Sequence, residues 1–447
     1  MALLISLAPA LPAAETAGEP DPSDEARPRY GAAAVEAFGS NVVVHLFDRF
    51  VLRADYAQAS WSSASRNLRS AWVFDHDIFA TNEIAHPYHG YLYFAAGRSN
   101  GLGFWSSSAL TVLGSATWEL FGEKDPPSMN DIVATTMGGM ALGEIFHRVY
   151  RSARLGGSPL RLVVSPMDFL TDCVYGERDA EFEEPASMAL SLRGGACFPF
   201  LDLDETRGIE AGPAWPMAQV AESLSYGDPF GEGGAPFSHF EQRLRLGASP
   251  SSYEIAFFSN GSLCSLPIAD GPRGKLAVGA DLHFDFVFSS IVELSANSVG
   301  LSLAGARRFD GGLALSCEAH LNAVAMGTND DVFLRELKED ADELTRSYDF
   351  GFGEGAKICF LAFQPVLGAL SLEWVAYDLR PFPSSLEEGS DFDRALVCAL
   401  ELAYERGLGR HLALGASYLR YDKLAFYDRR ADVRETLQSV SLYMKIL

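Results

Sequence analysis

From about residue 276 the chain alternates strictly between apolar and polar positions. Leu276, Val278, Ala280, Leu282, Phe284, Phe286 and Phe288 are apolar, and Gly279, Asp281, His283, Asp285 and Ser289 stand between them. A period of two places these sets on opposite faces of a strand. The pattern recurs over residues 313–325, 366–376, 396–404, 412–418 and 440–446, whose polar positions include Glu318, His320, Glu373 and Glu401. The longest runs exceed the ~9–11 tilted residues that cross a bilayer. Between them, Asn260-Gly261, Asp310-Gly311-Gly312 and Gly407-Leu408-Gly409 read as hairpin turns. Residues 337–346 and 384–393 read as longer acidic loops. Short turns and longer polar loops in alternation outline an antiparallel transmembrane-type β-barrel over residues 156–447, of about 10–12 strands.

If the apolar face meets lipid, the other face lines a lumen. That lining is expected to hold Asp281, His283, Asp285, Glu318, His320, Glu373 and Glu401. An acidic lumen favours cations or basic solutes. The alternative is an interior filled by salt-bridged side chains, with Arg243 and Arg245 as partners. A soluble β-domain alternates too, but long continuous apolar faces favour the membrane. No run of ~18 uncharged apolar residues occurs in this half, so no spanning helix is expected there.

Residues 31–155 change period. Val43, Leu46, Phe47, Phe50 and Val51 recur at helical spacing, and Pro87 suits the first turn of a helix reaching Arg98. A second helix is expected from Phe104 to Phe121, stopped by Gly122 and Pro126-Pro127. A third begins at Ser128, with Asp131 completing a capping box, and runs to about Tyr150. Thr135, Gly139 and Gly143 share one face of the third helix; Ser107, Thr111 and Ser115 share one face of the second. Each interior Gly costs a helix about 1 kcal/mol relative to Ala. A close-packing face is the expected reason. Glu144 and Arg148 are spaced to pair.

Ahead of these helices, residues 1–14 read as an export signal, with an apolar stretch from Leu3 to Leu11 before small residues, and residues 15–30 as a flexible acidic leader. The formal net charge of -24 excludes nucleic acid as a partner. The six cysteines lack CxxC or zinc-finger spacing and are expected as free thiols.

Several short motifs carry a family resemblance: "WELFGE" at Trp118, "PSMND" at Pro127, "TTMGG" at Thr135, "LGE" at Leu142, and upstream "DHD" at Asp75 and "NEIAHPYHG" at Asn82. Together, over roughly residues 38–151, they resemble the bacterial family known as domain of unknown function 3943. The resemblance implies an exported protein with a β-rich region in the outer membrane. It implies no activity.

No cofactor is expected; Asp75, His76 and Asp77 are ligand types for a divalent metal, against the plainer reading of hydrogen-bonded polar groups. His86, His89, Glu144 and His147 offer acid–base groups for a hydrolase acting on envelope lipid. Asp131 lies about 24 Å along the helix from His147, at ~1.5 Å per residue, too far to share a site. Ser106, Ser107 and Ser108 lack the Gly-x-Ser-x-Gly turn of a serine nucleophile. Three readings follow: an outer-membrane barrel passing or binding small solutes or shaping the envelope, an outer-membrane lipid-modifying hydrolase, and a soluble periplasmic β-rich binding protein. Outer-membrane lipid, the barrel assembly machinery and a small solute are the expected partners.

Overall fold

The structure, a computed structural model, describes residues 27–152, 158–177, 185–202, 209–211, 214–231, 235–250, 252–289, 292–341 and 346–446. The expected export signal and most of the leader lie outside them. The chain forms two compact units, one joining Phe74–Ile84 to Pro185–Leu447 and the other holding the remaining helical residues up to Glu184.

The first unit is a closed antiparallel sheet. Its strands are β1 (Ser187–Asp202), β2 (Ile209–Ala211), β3 (Trp215–Tyr226), β4 (Phe240–Ala248), β5 (Tyr253–Gly271), β6 (Gly274–Ser289) and β7 (Glu293–Arg308). They continue with β8 (Ala314–Asp330), β9 (Tyr348–Gln364), β10 (Gly368–Pro381), β11 (Phe392–Gly407), β12 (Leu412–Tyr427) and β13 (Val433–Ile446). β13 pairs with β1, Leu190 opposite Ile446 and Asp202 opposite Arg434, and so closes the sheet. The three-residue β2 pairs beside the end of β1, where β3 does not reach, so twelve strands form the ring. Closure leaves no unpaired sheet edge.

Contacts across the ring identify its inner face. Lys357 on β9 reaches Asp285 on β6 at 2.8 Å, and the Tyr377 hydroxyl on β10 donates to the same carboxylate. The opposite face carries exposed Leu, Val and Ile. Leu301 on β7 and Leu321 on β8, paired across the ladder, are 70% and 72% exposed. Near the β6–β7, β10–β11 and β12–β13 turns the interior is packed with Leu294, Val375, Tyr377, Phe392, Tyr421 and Val433.

Three expectations need correction here. Asn260-Gly261 is not a turn but lies within β5. A Cβ on Gly261 would collide with the Phe237 ring, so this glycine accommodates a packed aromatic side chain. The outer face of β6 is not continuously exposed: Leu282, Phe284 and Phe286 are buried, and Phe288 stacks on Phe79 at 5.3 Å. The segment at 74–84 therefore belongs with the barrel, held also by Phe74 stacked between Phe350 and Phe382. The acidic stretch from Leu337 begins inside a helix, Val332–Ala341, rather than a loop. Of the expected turns, Gly311 and Gly312 do join β7 to β8, at φ of 86° and 85°, values that only glycine adopts freely.

The second unit contains α1 (Tyr30–Phe47), α2 (Trp61–Asn67), α3 (His86–Ser99), α4 (Phe104–Thr117), α5 (Met129–Arg151), α6 (Leu160–Val164) and α7 (Pro166–Tyr175). The last two lie past residue 155, so helices persist beyond the expected boundary and strands begin at Ser187. Small residues set the helix spacing. A Cβ on Gly139 would meet the Gly90 Cα at 2.6 Å, and one on Gly143 would meet the Phe94 ring. Gly97 lies against Ser107, and Gly114 against Tyr93. Ser128 precedes α5 but its side chain makes no cap; its N–H donates instead to Glu119 at 2.8 Å. Asp131, too short for the capping box, accepts from Asn130. Among the described residues no helix is long and apolar enough to cross a membrane.

Candidate functional site

The barrel interior is a ladder of ion pairs. Arg193 on β1 reaches Glu401 on β11 at 2.5 Å, and Arg245 on β4 reaches the other oxygen of Glu401 at 3.3 Å. Arg245 also pairs with Glu254 at 2.9 Å, and Arg243 pairs with Glu373. Lys357 and Tyr377 share Asp285, and Lys423 lies between Asp330 and Glu435 at 3.0 and 2.8 Å. The acidic lumen expected from the sequence is thus largely neutralised. Charges drawn out of water need such partners. Sequence alone points to Arg243 and Arg245 but not to Arg193, Lys357 and Lys423, single basic residues whose partners emerge only once the ring is closed.

A cavity of about 150 Å³ lies within the ladder, lined by Arg193, Glu222, Arg243, Arg245, Glu373 and Glu401. A second, of about 650 Å³, shares Arg243 and Glu373 and extends to the β9–β10 and β11–β12 turns through Val366 and Gly409. Toward the other end the interior holds the packed cluster around Tyr421.

Further along the inner face, His320 on β8 contacts Asp281 on β6, Nδ1 to Oδ2, at 3.0 Å. Its Nε2 lies 3.7 Å from Glu318, whose other oxygen is 3.4 Å from His239. The His283 ring stands edge-on to His320, centroids 5.1 Å apart. All seven lumen residues named from sequence are accordingly on this face; Asp281, His283, Asp285, Glu318 and His320 are buried.

The expected hydrolytic set in the helical unit does not assemble. Glu144 is clamped by Arg98 at 2.7 Å and by Arg148 at 2.8 Å. Burial raises its pKa, but Arg98, Arg148 and His147 outweigh that and hold it below the usual carboxylate value, so it is a poor base. His147 turns to Asp168, 2.6 Å away, which also accepts from Ser165 at 2.5 Å. Those three side chains are of triad type, but the carboxylate stands between the serine and the imidazole, so no base touches the hydroxyl. His89 contacts the Tyr93 hydroxyl at 2.9 Å. Burial, then His86, pushes it down to about 3, and it stays neutral. His86 lies 3.4 Å from Asp131 and 3.4 Å from the Thr135 hydroxyl. Thr135, Gly139 and Gly143 on α5, with Ser107, Thr111 and Ser115 on α4, are buried at helix contacts.

Nor do Asp75, His76 and Asp77 converge on a metal. His76 contacts Glu387 at 2.6 Å, Asp75 accepts from Asn82 at 2.8 Å, and the Asp77 carbonyl accepts from Tyr348 at 3.1 Å. Close by, Glu83 is fully buried, and burial raises its pKa to about 7. The six cysteines are free thiols.

Residues 71–162 match the family described as domain of unknown function (DUF3943), the family whose motifs the sequence resembles. The match starts later than the resemblance and ends beyond it. Among curated proteins none matches the chain at a significant level. Among solved structures, the chain is similar to an outer membrane channel from Pseudomonas putida F1 at 7% identity, covering 60% of this chain and 99% of that one, with a TM-score of 0.30. For the NanC porin the identity is 10%, the coverage 57% and 98%, and the TM-score 0.26. For the translocator domain of the autotransporter NalP from Neisseria meningitidis these are 12%, 69% and 98%, and 0.24.

Proposed function

We propose that the protein is an outer-membrane β-barrel that admits a small polar solute into a lumen held shut by ion pairs. The location rests on physical grounds. A closed sheet with exposed leucines along the middle of its strands suits hydrocarbon, where every backbone group must be paired internally. The single observation that carries the rest is Glu401, whose two oxygens receive Arg193 from β1 and Arg245 from β4 beside the cavity of about 150 Å³. Ion pairs that cross the lumen beside a cavity of that size suit occupancy by a small molecule better than free flow.

Planar-bilayer conductance of the full chain tests this reading. Wild type is expected to conduct weakly, and Glu401→Gln or Arg245→Ala to conduct more, because each removes a bar across the lumen. If both variants fold, as judged by heat-modifiable gel mobility, and neither conducts more than wild type, the gate is wrong.

A further inference from the structure

We propose that the barrel lumen contains a site for one divalent transition-metal ion, built from Asp281, His283 and His320. It is separate from the ion pairs at Glu401 and does not depend on solute passage.

The site is a consequence of strand register. Asp281 and His283 sit on β6 and His320 on β8, with β7 between them. Opposite His283, Asp281 and Gly279, β7 presents Ser298, Gly300 and Ser302, and His320 is the β8 partner of Ser302. Small inner residues on β7 let β8 side chains lean across it: Asn322 lies over Gly300, and His320 reaches Asp281 on β6. One ligand atom from each of Asp281, His283 and His320 lies within 4.8 Å of the other two. A tetrahedral ion with bonds of ~2.1 Å spaces its ligands about 3.4 Å apart, so small side-chain shifts suffice.

His283 provides the independent observation. It is fully buried, and neither ring nitrogen makes a well-formed hydrogen bond among the described residues. The Ser259 backbone is its weak hydrogen-bonding neighbour. That peptide is engaged elsewhere: its N–H donates to Asp285, and its carbonyl accepts from Lys357. Lys357, the nearby cation, is itself neutralised by Asp285 at 2.6 Å. A buried imidazole is rarely left without a partner.

The contact between His320 Nδ1 and Asp281 is where the ion would enter, taking the place of the proton shared there. The Nε2–H of His320 then faces Glu318, and Glu318 faces His239. A carboxylate behind a metal-bound histidine fixes its tautomer and strengthens its donor nitrogen. Two imidazoles and one carboxylate suit zinc, nickel, cobalt or copper, whereas magnesium and calcium prefer oxygen ligands throughout.

Co²⁺ titration of the untagged full chain, folded in detergent, tests the site. One saturable equivalent is expected, with the visible absorption of a bound Co²⁺ ion that Zn²⁺ abolishes. His283→Ala, His283→Gln, His320→Ala and Asp281→Asn should each lose that band while keeping heat-modifiable mobility, and the exposed His411→Ala should keep it. Absence of saturable Co²⁺ binding in wild type overturns the proposal. So does a band that survives in His283→Gln, or one lost only in His239→Ala, which would place the ion on the neighbouring His239, Glu241 and Glu318.

Discussion

Gly90 of α3 and Gly139 of α5 meet backbone to backbone: a Cβ on Gly139 would stand 2.5 Å from the Gly90 carbonyl carbon. Backbone cannot swing aside as a side chain does. Gly139→Ala is therefore expected to destabilise the helical unit by about 1–3 kcal/mol through overpacking. Gly39→Ala, in α1 with nothing within 4 Å of the added carbon, should instead be neutral or stabilising by up to ~1 kcal/mol. Hydrogen exchange of the α3 and α5 amides in the full chain measures both; equal effects would remove the close-contact explanation.

Glu144 lies between Arg98 and Arg148 without exposure. Glu144→Ala strands two guanidinium groups, at an expected cost of about 3–5 kcal/mol. Because the folded pKa is held below the ordinary value of 4.5, its stabilisation is complete above that pH and is lost as pH falls through the folded value. Wild type and Glu144→Ala should thus converge in stability toward strongly acidic pH, as followed by α5 exchange.

Glu83 behaves in the opposite sense. Burial raises it to about 7 from 4.5, so its contribution is complete below pH 4.5 and is lost as pH rises through the folded value. Glu83→Gln should match wild type near pH 4 and exceed it at pH 8 by on the order of 3 kcal/mol, since each pH unit between the unfolded and folded values is worth ~1.4 kcal/mol. Unfolding midpoints at those two pH values decide it; a Gln variant weaker at pH 8 would show that the carboxylate is needed there.

Leu301 sits at the middle of β7 and faces outward. In a bilayer Leu301→Arg should cost about 2–4 kcal/mol, while Leu408→Arg in the β11–β12 turn should stay within about 0.5 kcal/mol. Urea titration of folding into phospholipid vesicles compares them. Equal small effects at both positions would favour a barrel in water.

Much of the barrel was legible because lipid and lumen impose a two-residue period, visible from Leu276 to Ser289 and again from Leu396 to Tyr404. The helical contacts were legible for a related reason: glycine and threonine at four-residue spacing have few other uses inside a helix. Tertiary pairing was not legible. Phe79 meets Phe288 and His76 meets Glu387 across long stretches of chain that no local pattern spans. Asn260-Gly261 has the sequence of a turn, but both residues pair with β4 on one side and β6 on the other, neighbours that only the assembled sheet supplies. The partner of His147 was not legible either, because Asp168 lies on α7, beyond the segment that carries the motifs.

Arg193 and Glu401 are separated by 208 positions in sequence, on the first strand and the eleventh. They meet only after the seam between β1 and β13 has zipped. A growing sheet that has not yet curled round carries both charges alone, one near each free margin. Completion of the cylinder and neutralisation of this pair are then a single event. Half-built walls have little to gain by burying themselves, and the finished one has no easy route to reopen at its seam.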